Sequence, residues 1–325
     1  MTDRIWISWN EQRRNIGLAD AVRARLYMTD QDSPRWKRLL VEFYSSWKII
    51  QRNRPSICFT MNPSIFSSWW LSYLSRIYGF CLVTDLHTLN YKFSGIKKLL
   101  FQAIFNSGIR QSDVVIVTNK IYRQSILPLN ARTVIVPDPL PDLQRKSKNE
   151  SAVSGEDDGI LQILFICSFD PDEPVHEVLA IDSEVDGFEI LVTGDWKRMF
   201  SSPYYGKHIR FLGFIPKQDY DQLLLNVDGV MVLTREEGCL CCGAYEAFAA
   251  GKPVILSRTK ALQGFFGNAP VYTDNSSASI LDALRILKAE RGKRAEMVVE
   301  ERPALHRKFE KGIEDLEKIL TDIKH

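Results

Sequence analysis

The sequence predicts two doubly wound α/β domains in tandem, and three observations carry that reading. Short runs rich in Val, Ile and Phe alternate with longer amphipathic stretches, the alternation stops at the polar, charged segment LPDLQRKSKNESAVSGEDDG (140–159), and it then restarts with the same rhythm. Strands separated by helices form parallel sheets covered on both faces, and such strands are nearly continuous apolar runs. A chain of 325 residues is long enough for two domains that each bury a core.

The elements follow in order. Strands are expected at RIWIS (4–8), ICFTM (57–61), FCLVTD (80–85), VVIVT (114–118) and TVIVP (133–137), with helices near 11–25, 35–53, 64–78, 95–110 and 119–126. After the linker come ILQILFICS (160–168), EILVTG (189–194), IRFLGF (209–214), GVMVLT (229–234), KPVILS (252–257) and APVYTD (269–274). From about residue 276 the chain reads as helical, with Pro303 placed to start a last helix ending near Ile323. The expected domains are 1–145, 160–300 and a terminal helix, 301–325, that packs back on the first domain. Open α/β sheets bind ligands beyond the carboxyl ends of their strands, so the cleft that two such domains would face is where chemistry is expected.

Composition narrows the function classes. With 45% hydrophobic and 25% charged residues the chain is an ordinary soluble globular protein. It contains no run of the ~18 apolar residues a spanning helix needs, and MTDRIWISWNEQRR lacks the profile of a signal peptide, which predicts a cytoplasmic location. Six cysteines sit mostly inside apolar runs such as ICF and FCLV, as buried free thiols do. Residues 1–150 hold 22 Lys/Arg against 11 Asp/Glu, whereas the remainder hold 20 against 29. A basic half suggests an anionic partner such as a membrane surface, a phosphate-bearing lipid or nucleic acid; docking of two oppositely charged domains is the competing explanation.

The densest stretch is EGCLCCGAYEAFAAGKPVILS (237–257). Its cysteines lack the paired spacing and second ligand pair of a zinc site, so no metal is expected there. GAYEAFAAG reads as a helix closed by Gly251 as C′ residue. The helix start at Cys242, Gly243 and Ala244 would offer free amides and the positive end of the dipole to a diphosphate. Gly243 would let the phosphates approach the backbone. Glu246, one turn in, would reach hydroxyls on the group attached to that phosphate.

GAYEAFAAGKPVILS resembles the signature of nucleotide-sugar-dependent glycosyltransferases of the GT-B fold, specifically the retaining glycosyltransferase family 4. WNEQRR, TMNPSIF, LVTDLHT, VIVTN, VPDPLP, SFDPDEP, LVTGD, LGFIP, VMVLT and APVYTDN resemble a bacterial polysaccharide-type branch of it, in order along almost the whole chain. The resemblance implies two Rossmann-like domains facing a central cleft, with Glu246 on the ribose hydroxyls and Glu237, or its neighbour Glu236, on the donor sugar. Eight residues separate Glu237 from Glu246 where seven are usual in the family.

It further implies that the loop SFDPDEP, with Ser168, cradles the leaving diphosphate. The lysine that many relatives carry there is missing, and Lys197, Arg198 and Arg235 are candidates to replace its charge; an exposed surface cation is the competing reading for each. Asp85 and His87 end a strand on the cleft side, and His87 resembles a family histidine that touches the donor sugar; a hydrogen-bonded loop histidine is the alternative. Arg13 and Arg14 would face the same cleft and bind an acceptor phosphate, or form a plain exposed face. Apolar residues at 65, 66, 69, 70, 73, 74, 77 and 78 form a wide helical stripe, either core or, through Trp69, Trp70 and Tyr73, a surface resting on a bilayer.

The implied activity is retaining transfer of a sugar from a nucleoside-diphosphate sugar to a hydroxyl on a glycan or lipid-linked acceptor, in cell-surface polysaccharide or glycolipid biosynthesis. No cofactor beyond the donor is implied. The expected partners are nucleotide sugar, acceptor and a peripheral contact with the inner membrane face, not nucleic acid. Two other readings stay open: a catalytically inactive GT-B subunit partnering an active transferase, and a sugar-nucleotide epimerase of the same fold.

Overall fold

A computed structural model describes residues 3–9, 13–29, 35–62, 65–87, 95–143 and 159–324. Most of the expected linker, the residues 10–12 of WNEQRR and the Arg13 side chain lie outside what is described. The chain forms two compact units, Met1–Pro139 with Arg307–His325, and Leu140–His306.

The first unit runs β1 (Arg4–Ser8), α1 (Arg13–Ala21), β2 (Arg25–Met28), α2 (Arg35–Asn53), β3 (Ile57–Asn62), α3 (Ile65–Tyr78), β4 (Cys81–Leu86), α4 (Ile96–Gln111), β5 (Val114–Val117), α5 (Lys120–Ile126) and β6 (Thr133–Ile135). Its parallel sheet has the order β2-β1-β3-β4-β5-β6. Side chains alternate across the pleat, so Trp6, Phe59 and Val83 face one core and Ile5, Ile7, Cys58 and Leu82 the other. Trp6 stacks on Phe59 with centroids 5.4 Å apart. Leu316 and Leu320 of the terminal helix complete the Trp6 core. Strand β2 is absent from the sequence reading, because RLYM is a four-residue edge strand without a fully buried position and follows a helical run directly.

Helix α3 divides the apolar stripe between core and surface. Ser67, Ser68 and Ser72 are buried with Ile65, Leu71 and Leu74, whereas Trp69, Tyr73 and Ile77 are exposed. Small residues face inward because α3 and α4 pack backbone to backbone: a Cβ on Gly108 would lie 2.7 Å from Ser68 Oγ and 2.9 Å from the Trp69 nitrogen. Gly108→Ala should therefore force the helices apart, costing about 1 to 3 kcal/mol of overpacking against about 1 kcal/mol of helix propensity gained. A lower urea midpoint is expected; an unchanged midpoint would show that the two helices separate freely.

The second unit runs β7 (Leu161–Ile166), α6 (Val175–Leu179), β8 (Phe188–Thr193), a 3₁₀ turn (Trp196–Arg198), β9 (Ile209–Gly213), α7 (Lys217–Asn226), β10 (Gly229–Val232), α8 (Cys242–Ala250), β11 (Val254–Ser257), α9 (Lys260–Phe266), β12 (Val271–Thr273) and α10 (Ser277–Lys324). The order β12-β11-β10-β7-β8-β9 is the doubly wound dinucleotide-type arrangement, with its switch point between β7 and β10. Gly251 closes α8 in the left-handed conformation (φ 71°, ψ 31°), as its place after a helical run predicts.

Pro303 does not start a helix. It lies inside α10, whose backbone leaves helical angles at Glu290 (φ −110°, ψ 15°). The carbonyl that loses its amide donor at Pro303 belongs to the exposed Val299, where water can replace the partner. The last part of the helix belongs with the first unit.

Candidate nucleotide site

At the switch point of the second unit, the loop after β7 turns back on itself. Phe169 takes a left-handed conformation (φ 58°) and is held there by T-shaped contacts to Phe200 and Phe211. The turn gathers the Ser168 and Asp170 amides, and both donate to the Glu173 carboxylate at 2.9 Å. The Cys167 thiol donates to the same group at 3.2 Å. Burial pushes the Glu173 carboxyl above the usual carboxylate range, against the pull of these donors. The expected phosphate loop is thus filled from within by its own acid.

Neighbouring strand ends brace this loop. The Thr234 hydroxyl donates to Asp172 at 2.6 Å, and the Arg235 amide donates to the Asp172 carbonyl at 2.8 Å. Arg198 donates to the Ser168 carbonyl at 3.0 Å and pairs with Asp170 at 2.6 Å. Arg235 pairs with Glu177 at 2.7 Å. Lys197 is exposed over the Trp196 ring. Of the three cations considered as substitutes for the missing lysine, the two arginines are therefore engaged with carboxylates.

Helix α8 starts at Cys242, which is exposed, and buries Gly243, Ala244 and Glu246. The glycine serves packing: a Cβ at Gly243 would lie 3.1 Å from both Ile166 and Val232, so its missing side chain faces the sheet and not a ligand. The Ala244 amide donates to the Cys241 carbonyl at 3.0 Å and so is already engaged. The Cys241 and Cys239 sulfurs are 3.7 Å apart as free thiols, and this contact together with burial pushes Cys241 up. Glu246 is 9% exposed and accepts a hydrogen bond from the Tyr220 hydroxyl of α7.

Glu237 lies apart from Glu246 in role. Its carboxylate accepts the Lys260 amide at 3.0 Å and its carbonyl accepts the Ala261 amide at 3.3 Å, so it serves the first turn of α9 beside the Thr259 cap. It also lines a polar cavity of about 550 Å³ with Thr234, Arg235, Ser257, Arg258 and Asn275.

In the first unit, Asp85 is 1% exposed and takes two hydrogen bonds from Arg14, at 2.8 and 2.7 Å. Arg14 is 5% exposed and also donates to Asp138 and to the Val136 carbonyl. The expectation that Arg14 meets an acceptor phosphate and that Asp85 faces a cleft is corrected: the two neutralise each other in the interior, tying α1 to β4 and to the chain beyond β6. His87 follows β4 and is half-buried.

Tyr220 and Glu173 were missed as site residues. No periodicity links Tyr220 to a glutamate a strand away, whereas Glu173 was legible as an acid ahead of a helix start but not as the occupant of the loop's own amides. Among the described residues, no group of three His, Cys, Asp or Glu is placed to hold a metal ion. No described helix is long and apolar enough to cross a membrane.

Residues 149–302 match the family model described as Glycosyl transferases group 1. No curated protein matches the chain significantly in sequence. Solved structures do match it. Anabaena HepE, in complex with UDP and glucose, superposes with a TM-score of 0.70 at 14% identity, covering 99% of this chain and 92% of that one. A sucrose-phosphate synthase from Thermosynechococcus elongatus gives 0.74 at 15% identity, over 98% and 99% of the two chains. The fold is GT-B. The lipopolysaccharide outer core galactosyltransferase WaaB, in its apo form, gives 0.59 at 12% identity over 98% and 99%. The matched family segment contains the whole second sheet and α8, so the signature read in EGCLCCGAYEAFAAGKPVILS lies inside it.

Proposed function

We propose that the chain is a retaining glycosyltransferase of family 4 type, moving a sugar from a nucleoside-diphosphate sugar to a hydroxyl of a glycan or lipid-linked acceptor in cell-surface polysaccharide or glycolipid biosynthesis. The observation that carries this reading is Glu246: an acid 9% exposed, on the helix after the switch-point strand β10, inside the segment matching Glycosyl transferases group 1. A carboxylate there, oriented by Tyr220, accepts the ribose hydroxyls of a nucleotide whose phosphates lie toward the start of α8. Departure of the diphosphate leaves an oxocarbenium-like sugar, so the work of the site is electrostatic. UDP-containing complexes of a protein with this fold support the donor class.

A thermal-shift series across UDP-, GDP- and dTDP-sugars tests the reading. The right donor at 100 times its Kd should add about 2.7 kcal/mol of apparent stability. Proton NMR of the product formed from that donor should then show the anomeric configuration kept, and an inverted product would overturn the retaining mechanism.

Two observations favour the inactive-subunit reading: Glu173 occupies the loop amides and Glu237 is committed to α9. Slow hydrolysis of the bound donor, followed by release of free sugar, separates the two. Hydrolysis favours the transferase, and tight binding with no turnover of any donor favours the subunit.

A further inference from the structure

Three of the six cysteines stand together between β10 and the start of α8, and two of them are in contact. The Cys241 thiol donates to the Cys239 sulfur at 3.7 Å, and both are half-buried free thiols. The cysteines elsewhere in the chain are placed differently. Cys58 and Cys81 lie on neighbouring strands but belong to cores on opposite faces of the sheet, Cys58 with Ile5 and Leu82 and Cys81 with Trp6 and Phe59. Cys167 is 5% exposed and its thiol donates to Glu173 at 3.2 Å. Burial pushes the Cys58 and Cys167 thiols up, which keeps them unreactive.

The loop that carries the contacting pair is braced along its length. The Thr234 amide donates to the Ser257 hydroxyl at 2.8 Å, Glu237 serves the first turn of α9, and the Cys239 amide donates to the Glu236 carbonyl at 3.2 Å. Leu240, between the two cysteines, is 7% exposed and anchors them. Cys241 is the N-cap of α8, and among the described residues its side chain makes no cap hydrogen bond. Ser, Thr, Asp or Asn would stabilise the helix there, whereas this thiol turns away from the helix to meet another thiol. A disulfide needs sulfurs about 2.05 Å apart, so closure asks for an approach of about 1.6 Å, which rotation about two Cα–Cβ bonds covers.

We propose that Cys239 and Cys241 are a redox-active dithiol that closes to a disulfide by exchange with a low-molecular-weight disulfide, for which oxidised glutathione is the probe. The contact with Cys239 and burial hold Cys241 protonated, which makes Cys239 the entering thiol and Cys241 the resolving one. The Cys239 thiolate attacks one sulfur of the oxidant, its S–S bond breaks, and one glutathione leaves with the proton that Cys239 lost. Cys241 then gives up its proton and attacks the Cys239 sulfur, and the second glutathione leaves with that proton. Two protein thiols are oxidised and one disulfide is reduced to two thiols. The new bond ties the cap of α8 to the loop ahead of it, and the Cys241 carbonyl, which accepts the Ala244 amide at 3.0 Å, moves with the cap. The first turn of α8 therefore differs between the reduced and oxidised forms. The proposal stands independently of the transferase reading.

The test equilibrates the full chain in glutathione buffers from reduced to oxidised, traps the thiols and weighs the proteolytic fragment that holds residues 239–242. The wild-type fragment should become lighter by two hydrogens, and dithiothreitol should restore them. Cys239→Ser and Cys241→Ser should each prevent that change and Cys242→Ser should keep it, while circular dichroism shows all variants folded. A disulfide lost in Cys242→Ser, or kept in either of the other two variants, would overturn the assignment. A wild-type fragment that stays reduced at every glutathione ratio would overturn the dithiol itself. Hydrogen exchange then compares the two forms of the wild type: amides in the first turn of α8 should change rate by about fivefold or more, and equal rates would overturn the coupling to the helix. Neither measurement uses a nucleotide, so failure of the transferase reading leaves both outcomes intact.

Discussion

Replacing Arg14 with alanine is expected to destabilise the first unit by about 3 to 5 kcal/mol, the scale of breaking a buried ion pair by removing one partner. The guanidinium is 5% exposed and donates to both oxygens of Asp85, to Asp138 and to the Val136 carbonyl. Burial alone would lower its pKa, but the two carboxylates outweigh that and raise it, so the group stays charged at every accessible pH. Alanine leaves Asp85, itself 1% exposed, as an interior carboxylate without its counter-ion. The loss is a large share of the about 5 to 15 kcal/mol that holds a domain folded. Urea or guanidinium denaturation should show it as a fall in midpoint. Arg14→Lys should fall between, since a point charge cannot reproduce the planar fork that engages both Asp85 oxygens. The triple replacement Arg14→Met, Asp85→Leu and Asp138→Asn should recover most of what the single change loses, because it removes the charge of both acids that Arg14 engages along with its own, and the desolvation cost goes with them. A loss below about 1 kcal/mol for Arg14→Ala would mean that water reaches the pair and that the interior placement of Asp85 is wrong.

The same two residues show where sequence reading stops. LVTDLHT and WNEQRR each place charged side chains next to the carboxyl end of a strand or the start of a helix, the positions where α/β proteins keep their sites. Whether such charges face a ligand or each other depends on contacts between elements 71 residues apart, and no local pattern encodes that. Strand and helix existence is different in kind. RIWIS, ICFTM and LQILFI are continuous apolar runs because both faces of the sheet are covered, so local composition carries the information. RLYM was lost because an edge strand with exposed ends leaves no such run.

Gly243 is an intermediate case. Its necessity was legible, since a glycine in an otherwise helical run has a cost that something must offset. Its reason was not: the contact that excludes a side chain comes from Ile166 and Val232 on two strands beneath the helix, and a phosphate above the helix would leave the same mark in the sequence. The stripe on α3 divides between core and surface for the related reason that periodicity counts apolar residues. Close packing against Gly108 selects small ones, and so it turned serines inward and a tryptophan outward.

Glu246→Ala is expected to weaken binding of UDP, or of whichever nucleotide the thermal-shift series selects, by roughly 1 to 3 kcal/mol, about 5- to 150-fold in Kd. The proposed role is to accept two ribose hydroxyls, and hydrogen bonds to a charged acceptor sit in that range. Isothermal titration calorimetry on the folded variant measures it directly. Tyr220 makes the prediction more specific, because its hydroxyl donates to the Glu246 carboxylate from α7 and so would orient the oxygens proposed to meet the ribose. Tyr220→Phe should keep the carboxylate and lose that orientation, with an effect of about 0.5 to 1.5 kcal/mol on nucleotide affinity. If Tyr220 only satisfied a buried acid, the phenylalanine variant would shift the denaturation midpoint and leave the Kd alone. Glu246→Gln separates charge from shape, since the amide retains one acceptor oxygen and the packing but loses the charge, and it should fall between wild type and alanine. Undiminished nucleotide affinity in Glu246→Ala would remove this residue from the site, and the weight of the functional reading would then move to the polar cavity beside Glu237.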